Sequence, residues 1–97
     1  MVFFSFVDDT WTTHSYRNTP QLDTISDFVC VKVDPANSNI AYIGTWQGGV
    51  IKFENNVLTD IFDEYNSSLQ PWLANPDLVN ISGLDFDSQH NLWVANS

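Results

Sequence analysis

The chain repeats itself at a spacing of about 50 residues, and that spacing decides most of what it can become. With Val33-Asp34 laid on Phe86-Asp87, Cys30 falls on Gly83, Val31 on Leu84 and Lys32 on Asp85. Beyond the intervening turn, Tyr42 falls on Trp93, Ile43 on Val94, Gly44 on Ala95 and Thr45 on Asn96. The offset is 53 residues before the turn and 51 after it, because the second turn is two residues shorter. A second echo, at 47 residues, sets Phe6 on Phe53, Asp8-Asp9 on Asn55-Asn56 and Thr12 on Thr59. Self-similarity at a fixed period implies like units that bury their faces on one another. Four short strands per period make that unit a β-propeller blade, so the expected fold is all-β. A small β-sandwich of seven or eight strands is the competing architecture. The echoes run through the strands in chain order, which favours blades.

The most legible unit is Ile40 to Phe53, a strand, a glycine turn and a second strand. Its β-branched and aromatic residues show no helical spacing, and Gly48-Gly49 is expected to supply positive φ at the turn. Ahead of it, Val2–Val7 reads as a strand buried on both faces, Asp8-Asp9 as a tight turn and Thr10–Ser15 as a more polar strand. Tyr16–Asp23 is a connection with Pro20, and Ile25–Val33 is the next strand. Asp34–Asn39 is a turn cluster. Val57–Phe62 follows as a strand, then a long irregular connection, Asp63–Asn80, holding Pro71, Trp72 and Pro76. Ile81–Phe86 and Leu92–Asn96 close the chain. The expected organisation is one partial propeller domain over 1–97. Residues 1–15 supply the third and fourth strands of one blade, 25–62 a complete blade, and 81–97 the first two strands of the next. Small Cys30 and Gly83 fit crowding at the innermost strands.

Twelve acidic residues stand against three basic ones, a net charge of −9. Such a surface repels phosphate backbones and anionic membranes, so nucleic acid is excluded as a partner and membrane insertion is not expected. No apolar run approaches the ~18 residues of a membrane span. Met1–Val7 is too short for a signal peptide and lacks a basic start. The lone cysteine, Cys30, rules out an internal disulfide and reads as a small core residue. At this length a domain buries only about 60–65% of its unfolded surface, so its uncovered blade edges need partners. The two expectations for the ends are neighbouring blades in a longer parent chain, or copies of the chain joined head to tail.

Gly83-Leu84-Asp85-Phe86-Asp87-Ser88-Gln89-His90-Asn91-Leu92-Trp93-Val94-Ala95-Asn96 resembles the two-component-regulator propeller repeat. That repeat reads apolar, Asp, two variable residues, Gly-Asn, Leu-Trp, apolar. Ile43-Gly44-Thr45-Trp46-Gln47-Gly48-Gly49-Val50-Ile51-Lys52-Phe53 is similar to its next part, apolar-Gly-Thr, Gly-Gly and a strand ending in Phe. His90 departs from the pattern, standing where the repeat has Gly. Asn91 or His90 must then take the left-handed conformation. The resemblance implies a bacterial propeller exported to the periplasm or cell surface, as in sensor halves of hybrid histidine kinases or propellers tied to type IX secretion.

Propellers of this kind bind on the face made by the loops after the second and fourth strands. Here that face carries Trp46 and Gln47, Tyr16 and Arg17, and the segment around Tyr65 and Trp72. Aromatic rings beside Arg, Gln and Asn suit a glycan or a protein ligand. Trp11 and Trp93, lying in strands, are expected to pack between blades, with the Trp93 indole N–H hydrogen-bonded. Asp85 and Asp87 are two apart on one strand and share a face, which suits an acid–base pair or, more commonly, a turn cap. Lys32 matches Asp85 in the repeat, and the two are expected to form an ion pair. Neither His14 nor His90 has metal-ligand spacing, no cofactor is implied and no nucleophilic triad can be assembled. The expected function is a non-enzymatic binding or scaffold segment. The alternative is part of a carbohydrate-active lyase or hydrolase with Asp85 or Asp87 as acid.

Overall fold

A computed structural model describes residues 2–25, 27–75 and 77–97. Met1, Ser26 in the expected third strand and Pro76 in the long connection lie outside the described residues. The chain is all-β, with antiparallel strands β1 (Phe3–Val7), β2 (Thr10–His14), β3 (Phe28–Asp34), β4 (Asn37–Gln47), β5 (Val50–Glu54), β6 (Val57–Phe62), β7 (Val79–Phe86) and β8 (Leu92–Asn96). A 3-10 turn, Pro20–Leu22, lies in the first connection.

Strands β3, β4, β5 and β6 form a four-stranded meander. Hairpins β1–β2 and β7–β8 flank it, one on each face. Successive residues of β5 point to opposite faces and thereby divide the core. Ile51 and Phe53 join Leu22, Ile25 and Ile43, with Phe3 of β1 packed against them. Val50 joins Val79, Ile81 and Leu84, with Cys30, Tyr42 and Val94 packed against them. Ile51 and Ile81 are both fully buried.

The sequence echoes coincide with strand register. Cys30 pairs Gly44 as Gly83 pairs Ala95, Val31 pairs Ile43 as Leu84 pairs Val94, and Lys32 pairs Tyr42 as Asp85 pairs Trp93. Phe28 pairs Thr45 as Ile81 pairs Asn96, and both ladders slip by one residue just after that pair. The backbone N–H of Trp46 donates to Asp27 O at 2.8 Å, and that of Ser97 donates to Asn80 O at 2.9 Å, the same bond one period on. Hairpins β1–β2 and β5–β6 correspond at the turn, where Phe6 pairs Trp11 and Phe53 pairs Leu58, but β5–β6 slips by one residue between Lys52 and Phe53 and β1–β2 does not. Both close on two residues with positive φ, Asp8 (52°) with Asp9 (60°) and Asn55 (53°) with Asn56 (65°), as a two-residue hairpin of primed type requires.

Several expectations need correction. β1 is buried on one face only: Phe4 and Phe6 are 58% and 55% exposed, because the hairpin has the meander on one side and, among the described residues, no layer on the other. Trp11 and Trp93 are exposed on the same kind of outer face, at 69% and 67%, although the Trp93 indole does donate a hydrogen bond. Of the two turn glycines only Gly49 has positive φ (79°). The expected Asp34–Asn39 turn shrinks to Pro35-Ala36, since Asp34 already pairs with Asn37. His90 takes the left-handed conformation (φ 65°) in place of the glycine of the resembled repeat.

Candidate functional site

The first and second connections and the β4–β5 turn converge at one end of the meander. They enclose an open cleft of about 400 Å³. Gln21, Thr24 and Ile25 come from the first connection, Gln47 from the end of β4, Gly48 from the β4–β5 turn, and Asp63, Glu64, Tyr65 and Asp77 from the second. The floor is stapled by backbone. Gly48 N–H donates to Thr45 Oγ1 (2.8 Å), Thr45 Oγ1 donates to Gly49 O (2.8 Å), and Gly49 N–H donates to Val79 O (3.0 Å). Thr45 is fully buried, so this hydroxyl fixes the turn from inside. A site whose backbone is held this way needs little reorganisation when a ligand arrives.

The wall is equally fixed. Asp63 N–H donates to Asn66 Oδ1 (2.9 Å), Asn66 Nδ2 donates to Ile61 O (2.8 Å) and Tyr65 N–H donates to Asp63 Oδ1 (2.9 Å). The first connection repeats this staple 48 residues earlier. There Ser15 N–H donates to Asn18 Oδ1 (3.0 Å), Asn18 Nδ2 to Thr13 O (2.5 Å) and Arg17 N–H to Ser15 Oγ (3.3 Å). Tyr65, 87% exposed, therefore projects from an anchored turn. Asp63, Glu64 and Asp77 line the cleft and no basic side chain does. Its field excludes anions and admits neutral or cationic groups.

Of the five residues singled out from the sequence, Gln47 lines this cleft. Trp46 does not occupy the turn: it lies in β4, pairs with Asn80 of β7, and is 41% exposed. Tyr16 and Arg17 sit in the first stapled turn, with the Arg17 guanidinium carbon 5.9 Å from the Tyr16 ring centroid. Trp72 bridges to Asn75 in the second connection and is 43% exposed. Gln21, Thr24, Asp63, Glu64 and Asp77 line the cleft as well and do not stand out in the sequence. The signal that could have found them is the Asn18/Asn66 echo, which marks two like turns opening onto the same end of the meander.

The Asp85–Asp87 pair lines a separate open groove with Lys32 and His90. Asp87 accepts four hydrogen bonds there, from Trp93 Nε1 (2.8 Å), the N–H groups of Gln89 and Asn91 (2.9 Å each) and Asn91 Nδ2 (3.1 Å). The Trp93 indole first, and the Asn91 backbone next, hold its carboxyl down to about 2. At neutral pH it has no proton to give, so it serves the turn. Asp34, its mate in the repeat, caps the other turn in the same way, accepting from Ala36 N–H at 2.8 Å. Asp85 accepts from Phe86 N–H and lies 3.6 Å from Lys32 Nζ, the expected ion pair.

His14 is buried, stacked on Phe3 and 3.1 Å from Ser5 Oγ through Nε2. The Ser5 hydroxyl donates to Asn56 Oδ1 (2.9 Å). Burial lowers the His14 pKa. Among the described residues no cluster of three or more His, Cys, Asp or Glu could hold a metal ion, and no helix is long and apolar enough to cross a membrane. Comparison with protein families, with characterised proteins and with solved structures returns no match to this chain.

Proposed function

We propose that the chain is a blade-and-two-halves segment of a bacterial β-propeller, exported to the periplasm or cell surface, that binds a ligand at its loop face without turning it over. The resemblance of residues 83–96 and 43–53 to the two-component-regulator propeller repeat supports the setting, whether a sensor or a secretion-linked surface propeller. The repeated register supports the blade reading. The observation that carries the binding reading is the stapled acidic cleft between the β4–β5 turn and the two long connections. Carboxylates and the Gln21 amide offer acceptors and donors above a backbone held by its own hydrogen bonds, Gln47 lines the same cleft, and the Tyr65 ring offers a stacking face. The ligand class is a neutral glycan or a neutral-to-basic protein segment. Asp87, held ionised by its turn, argues against the lyase or hydrolase alternative that uses it as acid.

A glycan and peptide array followed by product analysis tests the reading. Retained ligand, released unchanged, is the expected result, with binding weakened by Gln47→Ala and by Tyr65→Ala. Turnover of any bound glycan would overturn the non-enzymatic reading. Binding untouched by both substitutions would move the site elsewhere.

A further inference from the structure

Two outer faces stay uncovered among the described residues, and the internal repeat says what fits them. Hairpin β1–β2 matches β5–β6 apart from one extra residue in β6, and β7–β8 matches β3–β4 with the same register slip. In the complete unit, β4 binds β3 on one edge and β5 on the other, with Ile43 opposite Ile51 and Ala41 opposite Phe53. The mate of β4 is β8, whose second edge carries no strand among the described residues. The mate of β5 is β1, which pairs only with β2.

We propose that β8 of one copy takes β1 of a second copy as its antiparallel neighbour, with Val94 opposite Phe4 and Leu92 opposite Phe6. The side chains agree with the backbone. Beside β8 lies a largely apolar groove of about 400 Å³, lined by Val50, Phe62, Leu69, Leu92 and Val94 with Ser67, Ser68 and Asn96. Within the chain, the ring of Phe53 packs edge-on against Phe3 and His14, at 5.1 and 5.0 Å. One period on, the mates of Phe3 and His14 are Val50 and Phe62, and both line the groove. The mate of Phe53 is Phe6. Phe53 is 4% exposed and Ile51 is fully buried, whereas Phe6 and Phe4 lie open. The second copy therefore brings to the groove the residues that the same groove already holds elsewhere in the fold.

Neither strand carries the lysine, proline or inward charge that guards an edge against pairing. The contact joins two different surfaces, so association runs head to tail and closes into a ring only if the rotation allows. It is independent of the loop-face cleft, which lies at the β4–β5 end.

The test uses the full chain. Wild type is expected to sediment at a multiple of 11.0 kDa. Phe6→Ser, at a side chain exposed in the isolated copy, is expected to be a folded monomer. In a Cys30→Ser background, Val94→Cys mixed with Phe4→Cys is expected to oxidise to a mixed disulfide. It should do so at least about tenfold faster than Val94→Cys mixed with Ser5→Cys, whose side chain points to the other face. Wild type that stays monomeric at every concentration, folded or unfolded, overturns the second copy as occupant and leaves the face to another segment. Assembly unaffected by Phe6→Ser, or equal cross-linking of the two mixtures, overturns the pairing.

Discussion

Gly49→Ala tests the turn on which the cleft rests. Gly49 has φ of 79°, and a Cβ built there would stand 2.0 Å from the Phe62 carbonyl oxygen. Two costs add. Holding a residue with a side chain in the left-handed region costs about 1–2 kcal/mol relative to glycine. The Phe62 carbonyl must also retreat, and it belongs to the last pair of the β5–β6 ladder, Val50 with Phe62. Losing that pair's hydrogen bonding adds about 0.5–1.5 kcal/mol. The sum is roughly 2–3 kcal/mol, a large part of the ~5–15 kcal/mol that holds a domain together. Gly48→Ala is the internal control. Its Cβ would meet Ile25 Cγ1 at 2.8 Å and Cγ2 and Cδ1 at 3.2 Å, so the buried Ile25 side chain must shift, but no backbone atom and no positive φ is involved. Urea unfolding should place Gly49→Ala about 2 M or more below wild type, taking a slope near 1 kcal/mol per molar, and Gly48→Ala between the two. Equal midpoints for the two variants would refute the assignment of the strained position to Gly49.

Trp93→Phe removes the indole donor and should raise the Asp87 carboxyl from about 2 towards its ordinary 3.8, read by NMR titration; no movement would show that the backbone donors suffice. The Asp87 contribution to stability is present above 3.8 and lost as pH falls through about 2, so wild type should tolerate acid better than Trp93→Phe. Burial holds folded His14 below 6.5, so between that value and its folded pKa the unfolded chain binds more protons. Stability should be full above pH 6.5, decline as pH drops below it, and level off under the folded pKa; His14→Gln should flatten that slope, and a slope unchanged by the substitution would assign it to other groups. Lys32→Ala should cost under about 0.5 kcal/mol in thermal or urea melts, because the Lys32–Asp85 pair is 47% and 79% exposed and solvent screens it.

The repeat was legible because register and turn geometry leave marks on residue type. Two residues with positive φ need Asn, Asp or Gly, so Asp8-Asp9 and Asn55-Asn56 announced two like turns. The Asp34 and Asp87 matches held for the same reason: each carboxylate is bound to a backbone N–H two residues on. The staples at Asn18 and Asn66 escaped notice because β6 carries an extra residue. Lys52 pairs Asp60 while Phe53 pairs Leu58, so the offset changes from 47 to 48 within the strand and a fixed-offset comparison loses the match. Trp46 was misplaced because strand β4 outruns its hairpin. Its last residues leave β5 behind and pair with Asn80 and Val79 of β7, a long-range contact with no local signature.

Trp93 and Trp11 show where pattern reading stops. Alternation along a strand says which residues share a face; it cannot say whether another layer covers that face. The repeat supplies the missing comparison. At Gly44 an added Cβ would meet Cys30 Sγ at 2.6 Å and Ile81 Cγ2 at 2.8 Å, because β7 lies on that face. At Gly83, the mate of Cys30, the nearest contact would be Ala95 Cβ at 3.8 Å, with ordinary room around it. Both periods place small residues opposite each other there, Cys30 with Gly44 and Gly83 with Ala95, yet only the first pair is crowded. Smallness serves packing only where something packs. In the head-to-tail arrangement the next copy's Phe28, the mate of Ile81, would lie over Gly83 and Ala95, and the neighbouring Trp93 ring would be covered with them. The small pair and the exposed indole then have one cause, a face shaped for a layer that a single copy does not supply.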